Sequence, residues 1–269
     1  MKNQILELLE KKDYFTIKKI LVDLNEADIA EILEEIDENK LLLTFRLLQK
    51  DKAVDVFSHV SISLQEKIIT SASDKEIKYF VEELFFDDMI DLLEEMPANI
   101  VKRILSNVKE SERTLVNHFL NYPDNTAGSL MTIEFVDLKR NLTVKEALNG
   151  IRKTGVEKET IYTCYIIDSN RKLEGIVSLR ELVISNEDTK IADIMNEEVI
   201  FVNTFDDQEE IASKFKKYDL IAMPVVDTEK RLVGIITVDD IIDVIEEENT
   251  EDFYKMAAMT PTEDEYLQS

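Results

Sequence analysis

The densest group of chemically active side chains in this 269-residue sequence is a run of carboxylates near its end. Residues 239–252 include eight Asp or Glu residues and neither Lys nor Arg. On a helix, Asp240, Asp243 and Glu247 share one face, where like-charged neighbours repel by roughly a few tenths of a kcal/mol per pair. A hard divalent cation would relieve this repulsion, because such cations prefer oxygen ligands. From the residues alone, a solvated helix face is the simpler interpretation.

The scarcity of histidine narrows the choice of metal. The chain contains only His59 and His118, whereas zinc and copper sites usually draw on imidazole or thiolate ligands. Mg²⁺ keeps much of its water shell and binds through as few as one or two carboxylates. The composition therefore argues against a zinc or copper site and permits several loosely held Mg²⁺ ions.

A second recurring pattern is a side-chain oxygen followed three residues later by a carboxylate. Four pairs have this spacing: Ser178 and Glu181, Thr237 and Asp240, Thr143 and Glu146, and Asp206 and Glu209. The spacing is typical of a capping box, in which the two side chains satisfy free backbone N–H groups at a helix start. It therefore predicts four helix N-termini.

The sequence lacks the common catalytic arrangements. It has no glycine-rich phosphate loop, no His-Glu-x-x-His segment and no clear Cys–His or Ser–His combination. Carboxylates are plentiful, but on so acidic a surface their pairing is unspecific. We therefore predict that the chain is not an enzyme.

Charge and cysteine content exclude other classes of protein. The chain carries 57 acidic and 32 basic residues, a formal net charge of −25, which argues against binding nucleic acid or an anionic lipid surface. The lone Cys164 cannot form an intramolecular disulfide, which fits a reducing compartment. No apolar run reaches 18 residues and the N-terminus has no signal-peptide pattern. We expect a soluble intracellular chain.

The distribution of glycine divides the chain into two parts. Residues 1–127 contain no glycine, and apolar residues recur at helical spacing in segments such as 27–36 and 87–96, which resemble each other. Repeated amphipathic helices of this kind predict an all-α superhelical domain built from stacked helix pairs.

The second part alternates between strand-like and helix-like segments. Predicted strands are Tyr162–Ile167, Ile176–Val177, Val199–Val202, Ile221–Val226 and Ile235–Ile236, and predicted helices are Val144–Lys153, Arg180–Val183, Gln208–Lys217 and Val238–Glu247. Residues 166–182 align without gaps on residues 225–241. The sequence therefore predicts a β-α-β-β-α unit that occurs twice.

This tandem resembles a pair of CBS (cystathionine-β-synthase) domains. Both copies carry the pattern D-x-x-x-x-L-x-G-I-(I/V)-(S/T)-x-x-(D/E), beginning at Asp168 and Asp227. The segments 50–59 and 87–93, the junction Tyr122-Pro-Asp-Asn-Thr-Ala-Gly-Ser-Leu-Met-Thr132 and the acidic run 237–252 also resemble the cytosolic part of MgtE-type magnesium transporters. That second resemblance extends over essentially the whole chain.

The MgtE resemblance implies a fold and a domain plan. The fold class is α+β multidomain, with an all-α superhelical domain before a tandem CBS pair. The expected boundaries are 1–127 for the helical domain, 128–190 and 191–249 for the CBS domains, and 250–269 for the start of a helix towards a C-terminal transmembrane domain. The resemblance further implies a homodimer formed through the CBS domains, at the cytoplasmic face of the cell membrane.

The same resemblance implies a set of magnesium-contacting residues. They are Asp55, Asp87, Asp91, Gly128 through its carbonyl, Asp207, Glu209, Asp219, Asp240, Asp243, Glu248, Glu251 and Asp252. Several have ordinary structural alternatives: Asp87 suits a helix N-terminus, Glu209 a capping box, and Asp219 a turn. The implied function is a Mg²⁺ sensor that gates an attached magnesium transporter or channel, closing it when Mg²⁺ bridges the acidic domain faces.

CBS pairs also leave an adenine nucleotide such as ATP open as a ligand. The residues at the matching positions are Tyr162, Ser178, Arg180, Glu181, Thr237 and Asp240, although both Ser/Thr–acid pairs also serve as plain capping boxes. The alternative function is an adenine-nucleotide-responsive regulatory module for an enzyme partner, and a third is a purely structural helical scaffold.

Overall fold

The computed structural model describes residues 2–256, except for the side chains of 2, 38, 39, 111, 112, 247, 249 and 251–256. The chain forms two compact units, Met1–His118 and Phe119–Ser269. The second half of the predicted connecting segment, residues 257–269, lies outside the described residues. No helix among those described is long and apolar enough to cross a lipid bilayer.

The first unit is built of short helices, as its lack of glycine predicts. They are α1 (Lys2–Glu10), α2 (Tyr14–Asp23), α3 (Glu26–Glu34), α4 (Glu38–Phe45), α5 (Lys50–Ser58), α6 (Ile62–Ser71), α7 (Asp74–Glu83), α8 (Phe86–Glu95), α9 (Ala98–Asn107) and α10 (Glu110–Phe119), which ends at the first residue of the second unit. Polar caps start several of them: the Asp13 carboxylate accepts from the Thr16 amide at 3.1 Å, and Ser73 and Glu76 form a capping box.

Alternate helices of the first unit stack on one another. Helix α3 packs on α5, α5 on α7, and α7 on α9, which is the arrangement of a helical-repeat domain. Their buried apolar faces, with Ile29, Phe57, Ile77 and Ile104, form the core. The prediction of an all-α domain of stacked helices is confirmed.

Basic side chains tie distant turns of this unit together. Arg103 on α9 donates to the Ile69 carbonyl at 3.0 Å, to the Ala72 carbonyl at 2.6 Å and to the Asp74 carboxylate. Lys52 on α5 reaches the end of α2 in the same way, donating to the Val22 carbonyl at 3.0 Å. These cations satisfy carbonyls that a helix C-terminus leaves without intrahelical partners.

The second unit contains two copies of one motif. Its elements are α11 (Ala127–Leu130), β1 (Val136–Leu138), α12 (Val144–Thr154), β2 (Thr163–Ile167), β3 (Leu173–Ser178), α13 (Leu179–Ile184), β4 (Val202–Asn203), α14 (Gln208–Tyr218), β5 (Ala222–Val226), β6 (Leu232–Thr237) and α15 (Val238–Met256), with short 3₁₀ turns at Gly155–Glu157 and Ile191–Asp193. Strand β2 is parallel to β1 and antiparallel to β3, and β5 bears the same relation to β4 and β6. The tandem β-α-β-β-α prediction is confirmed.

The segment before each motif pairs with the sheet of the other motif. Thr132 and Ile235 exchange two backbone hydrogen bonds, and Asn196 and Ile176 do the same. A Cβ atom on Gly234 would lie 2.8 Å from the Thr132 carbonyl oxygen, and one on Gly175 would lie 2.9 Å from the Asn196 carbonyl oxygen. The close approach of the crossing segment therefore requires glycine at this position in both copies.

The first Asp of the repeated pattern shapes the turn between the two antiparallel strands. Asp168 accepts from the amides of Asn170 and Lys172 at 2.7 and 2.8 Å. Asp227 does so for the equivalent residues of the second copy. These two carboxylates therefore act as turn formers.

Three sequence expectations differ from the structure. The predicted strand Val199–Val202 is wrong except at its last residue, because β4 begins at Val202. Strand β1 has no counterpart among the predicted strands. The capping box expected at Asp206 and Glu209 is also wrong: helix α14 is capped by Asp207, whereas Asp206 accepts from the Asn203 amide at 3.0 Å. The other three predicted helix starts are confirmed.

Candidate functional site

Four of the predicted magnesium-contacting residues gather at one corner of the second unit, where α11, the start of α14 and α15 meet. We call Gly128, Asp207, Glu209 and Glu248 the acidic corner. Gln208 connects its parts, since its Nε2 donates to Glu248 Oε1 at 2.8 Å. The backbone amide of Gln208 also donates to the Asn125 carbonyl at 3.0 Å. The start of α14 is thereby fixed against both neighbours.

The backbone of Gly128 is held firmly in this corner. Its amide donates to the Thr204 carbonyl at 2.8 Å, and the preceding Ala127 amide donates to the Asp206 carbonyl at 2.9 Å. The Tyr122 ring covers it so closely that a Cβ atom on Gly128 would lie 2.4 Å from a ring carbon. Glycine therefore permits this packing, apart from any contact that its carbonyl makes.

The acidic side chains of the corner differ in their hydrogen bonds and in their exposure to solvent. Asp207 accepts from the Glu209 amide at 2.9 Å, as the N-cap of α14. Asp207 and Glu209 are both exposed, and Glu248 is half-buried. Oxygen ligands of this kind suit a hydrated Mg²⁺. Carboxylates at the start of α14 also have a purely structural explanation, because the positive end of the helix dipole stabilises their negative charge.

Two further predicted residues lie on α15, before the acidic corner. Asp240 Oδ2 accepts from the Thr237 hydroxyl at 2.7 Å. Asp243 is exposed, but its pKa is raised. The larger cause is partial removal of the carboxyl from water, and the smaller cause is repulsion from the Glu246 and Asp239 carboxylates. A cation near Asp243 would therefore stabilise a charge that the fold itself destabilises.

Asp219 stands apart from the acidic corner. It ends α14 in the left-handed conformation, with φ 51°, while Asp207 caps the opposite end of the same helix. The 11 residues of α14 span about 16 Å. Within this unit, the structure therefore does not bring Asp219 to the corner.

The predicted residues of the first unit lie on two helices. Asp55 is an exposed residue of α5, where burial of part of its carboxyl and the nearby Glu26 and Asp51 carboxylates raise its pKa. Asp87 and Asp91 lie one turn apart on α8. Asp91 lines a small pocket of about 200 Å³ together with Asp88 and the polar side chains of Ser58, Ser61 and Gln65.

No group of three His, Cys, Asp or Glu side chains in the described part of the chain is arranged to hold a metal ion. The side chains of Glu251 and Asp252, which complete the predicted set, lie outside that part.

The predicted nucleotide-binding residues fall into two groups. Ser178 and Glu181 form a capping box at the start of α13, with the Ser178 hydroxyl donating to Glu181 Oε2 at 2.8 Å. Tyr162 lies beside them, because its carbonyl accepts from the Leu179 amide at 2.8 Å, and its ring is 63% exposed. Arg180 is exposed on the first turn of α13.

The second group, Thr237 and Asp240, lies at the equivalent position in the second copy of the motif. Thr237 is buried and bonded to Asp240, and the Val238 amide donates to the Ile221 carbonyl at 2.9 Å. Each carboxylate is engaged by its capping hydroxyl, and the capping bonds of Glu181 use only its Oε2. Ile221, which replaces Tyr162, offers no ring for stacking on a base.

Gln208 is the residue of the acidic corner that the sequence reasoning missed. It is 5% exposed and holds Glu248 in place. It occupies an apolar-face position of α14, four residues before Ala212 and seven before Phe215. A polar residue in that stripe is the signal that would have identified it.

The amino-acid sequence matches the models of two known protein families. The model of the MgtE intracellular N domain matches residues 24–125, and that of the CBS domain matches residues 127–185 and 191–247. The magnesium transporter MgtE of Thermus thermophilus is 36% identical over 257 residues, which are 94% of this chain and 57% of that protein. The chain belongs to the MgtE family. MgtE of Bacillus subtilis is 31% identical over 255 residues, 95% of this chain and 56% of that protein.

Solved structures agree with this assignment. The cytosolic domain of the Mg²⁺ channel MgtE in complex with ATP has a TM-score of 0.85 and 34% identity, covering 91% of this chain and all of that one. The soluble part of a magnesium transporter has a TM-score of 0.84 and 32% identity, covering 92% of this chain and 97% of that one. This chain therefore corresponds to the MgtE cytosolic domain, and it spans just over half the length of the two full MgtE relatives.

Enzymes share only distant or partial similarity with this MgtE chain. The inosine-5'-monophosphate dehydrogenase of Aquifex aeolicus is 34% identical over 119 residues, which are 42% of this chain. The MgtE match extends over nearly the whole chain at similar identity. The chain is thus a member of a transporter family and not an enzyme.

Proposed function

We propose that this MgtE chain senses Mg²⁺ and gates a magnesium transporter or channel from the cytoplasmic face of the membrane. At high Mg²⁺, the ion neutralises and bridges carboxylates on both units and favours a closed state. At low Mg²⁺, mutual repulsion of those carboxylates favours an open state. Helix α15 would carry the change to a C-terminal transmembrane domain.

The raised pKa of Asp243 is the observation that most directly supports a cation at α15. Its carboxylate lies near those of Glu246 and Asp239, and residues 239–246 of this helix include neither Lys nor Arg. The pKa of Asp55 is raised for the same kind of reason in the first unit. Both carboxylates thus bear charge that a nearby dication would stabilise.

Several weak ion sites suffice for such a switch. Two unit charges at about 4 Å repel by ~1 kcal/mol in water and by ~4 kcal/mol near a protein surface. Moving a population from 1:99 to 99:1 takes about 5.5 kcal/mol. A few carboxylate pairs that act together reach this value, whereas one exposed pair does not.

Exposed apolar side chains on α13 and α15 support the proposed homodimer. Val183 and Ile184 are 65% and 75% exposed, and Ile242 and Ile245 on α15 are also exposed. Large aliphatic side chains grouped on the outer faces of two helices are typical of a protein–protein contact. We expect Ile184→Lys with Ile242→Lys to halve the mass measured by light scattering, and a mass unaffected by both changes would rule out this surface.

Small-angle scattering and limited proteolysis test the sensor. We expect the radius of gyration and the rate of tryptic cleavage of the full chain to fall as Mg²⁺ rises through the low-millimolar range. Asp91→Asn with Asp243→Asn should shift the midpoint to higher Mg²⁺. Asp23→Asn with Glu31→Gln, two exposed carboxylates outside the proposed set, is the matched control and should leave it unchanged.

Sodium chloride at matched ionic strength provides the second control. Equal protection by Na⁺ would show that screening, and not specific Mg²⁺ binding, causes the change. An envelope that is identical in chelator and in excess Mg²⁺ would contradict the proposal outright.

An adenine nucleotide is a second proposed ligand, because the matching MgtE cytosolic domain was solved in complex with ATP. We propose that the Tyr162 ring stacks on the base, that Glu181 or Asp240 accepts from the ribose, and that Arg180 meets phosphate. Tyr162 and Glu181 are both exposed, and the capping bonds of Glu181 use only its Oε2, so these two side chains are accessible to a ligand.

Calorimetry with ATP and AMP distinguishes this role. Tyr162→Ala should weaken ATP binding by about tenfold, since base stacking contributes roughly 1–3 kcal/mol. Tyr218→Ala, an exposed tyrosine on α14, is the control and should bind normally. Nucleotide binding without any response to Mg²⁺ would favour the alternative function, a regulatory module for an enzyme partner.

A further inference from the structure

A groove in the first unit has a chemistry that the magnesium proposal does not use. It encloses about 720 Å³ between the α4–α5 and α6–α7 segments, which is within the range of small-molecule sites. Its floor is apolar and includes Leu42, Phe45, Leu48, Ile68 and Phe80. The Phe45 and Phe80 rings lie 6.1 Å apart between centroids.

The rim of this groove is positive, although the chain as a whole carries −25. Arg46, Lys50, Lys75 and Lys78 all line it. The Lys50 ammonium lies 5.1 Å from the centroid of the Tyr79 ring, which holds it at the edge of the floor.

Two carboxylates also line the groove and offset part of this charge, because Glu76 lies near Arg46 and Glu82 near Lys78. Glu76 accepts from the Ser73 amide and hydroxyl, both at 2.7 Å. Glu82 lies 3.4 Å from the Lys109 ammonium and 4.0 Å from that of Lys78. Lys50 and Lys75, which form an ion pair with neither carboxylate, therefore lie above an apolar floor.

We propose that this groove binds a single-chain amphiphilic anion, namely a fatty acid. The acyl chain would lie on the aromatic and aliphatic floor, where burial is favourable in proportion to the apolar area removed from water. The carboxylate would lie at the rim, near Lys50 and Lys75. This site is independent of the magnesium sites and does not rest on the proposed sensor.

Calorimetric titration of the full chain with dodecanoate, below its micelle concentration, tests the site. We expect one saturable site for dodecanoate, and binding at least tenfold weaker for acetate, which lacks the chain, and for dodecyltrimethylammonium, which has the opposite charge. Dodecanoate binding should also weaken as salt increases.

Two matched double variants locate the site. Lys50→Gln with Lys75→Gln should raise the dodecanoate Kd by about 25-fold, since each exposed cation about 4 Å from an anion contributes a factor of roughly five. Lys18→Gln with Lys19→Gln removes the same charge from α2, outside the groove, and should leave the Kd unchanged. Equal effects of the two pairs would overturn the proposal.

Methyl NMR spectra provide a readout that does not depend on these variants. Dodecanoate should shift the methyl signals of Leu42, Leu48 and Ile68 and leave those of the second unit in place. Shifts confined to the second unit would overturn the proposal. So would capture of the chain by phosphatidylglycerol vesicles through Lys50 and Lys75 without any dodecanoate binding, because the ligand would then be a membrane surface.

Discussion

Thr237 donates its hydroxyl to Asp240 Oδ2 at 2.7 Å, and the same carboxylate oxygen accepts from the Thr237 amide at 3.3 Å. Asp240 therefore stabilises the N-terminus of α15, whether or not it also binds a ligand. Asp243, one turn later on the same helix, has a raised pKa and like-charged neighbours. The two carboxylates make opposite contributions to the stability of one helix.

Removal of the Asp240 side chain should destabilise the second unit without any ligand. We expect Asp240→Ala to lower the free energy of unfolding by about 1 kcal/mol, because it removes a capping partner. Asp240→Asn keeps an acceptor oxygen and should have a much smaller effect. Differential scanning calorimetry in chelator measures both, and equal losses would mean that charge, not the hydrogen bond, matters there.

Asp243→Asn should raise the free energy of unfolding at neutral pH, the opposite of the effect of Asp240→Ala. Because the pKa of Asp243 is raised in the folded chain, the folded state binds its proton more tightly, so the carboxyl stabilises the fold as the pH drops through that pKa towards 3.8. The Asn variant mimics the protonated form and relieves two like-charged pairs. In chelator at pH 7 we expect a gain of roughly 0.5–1 kcal/mol.

The gain from Asp243→Asn should disappear below the ordinary aspartate pKa of 3.8, where folded and unfolded chains are both protonated. Urea denaturation at several pH values in chelator measures this dependence. Saturating Mg²⁺ should reverse the sign at pH 7 if the ion binds there. A gain that is independent of pH would contradict the charge explanation.

The crossing segments predict a contrast between two glycines. Gly234→Ala places a Cβ atom 2.8 Å from the Thr132 carbonyl oxygen, so we expect a loss of about 1–3 kcal/mol from overpacking. Gly150 lies within α12 with nothing near a new Cβ atom, so Gly150→Ala should stabilise the chain by roughly 0.5–1 kcal/mol.

Alkylation of Cys164 reports on both glycine variants. Burial raises the pKa of this thiol to about 12 and removes it from solvent, so it should react only when the second unit opens. We expect faster alkylation of the Gly234→Ala chain and slower alkylation of the Gly150→Ala chain. Equal rates in the two chains would show that the crossing contact is not tight.

Arg103 should matter more than its surface position indicates. Arg103→Met removes donors to the Ile69 and Ala72 carbonyls, and unsatisfied carbonyls cost about 1–3 kcal/mol. Arg103→Lys should recover only part of this, because an ammonium lacks the planar fork of donors. Lys102→Met, at the exposed neighbouring position, is the control. Hydrogen exchange at the α6–α7 turn should quicken in the Arg103→Met chain alone.

Much of the fold follows from local patterns in the sequence. A stretch of 127 residues without glycine, with apolar residues at helical spacing, determined the helical unit, because local propensity and one buried face suffice to specify a helix. Alignment of residues 166–182 on 225–241 determined the repeated β-α-β-β-α unit. The three Ser/Thr capping pairs also acted locally, and they formed as predicted.

Local patterns failed at two places where another contact decided the outcome. Strand β4 begins at Val202 and not at Val199, because its pairing with β5 sets its length. Helix α14 begins after Asp207 and not at Asp206, since the Asn203 amide already occupies the Asp206 carboxylate. A tertiary contact decided the first case, and a competing local hydrogen bond decided the second.

The candidate site shows the same division. The sequence by itself determined the acidic character of α15, because residue type and helical spacing are local. The magnesium-contacting candidates came from the resemblance to the MgtE family, and they stay predictions. Only the tertiary structure brought Gly128, Asp207 and Glu248 to one corner, through the buried Gln208. It also decided that Gly175 and Gly234 are required by crossing segments. Contacts between residues far apart in sequence depend on how the elements pack, and spacing along the chain does not encode that.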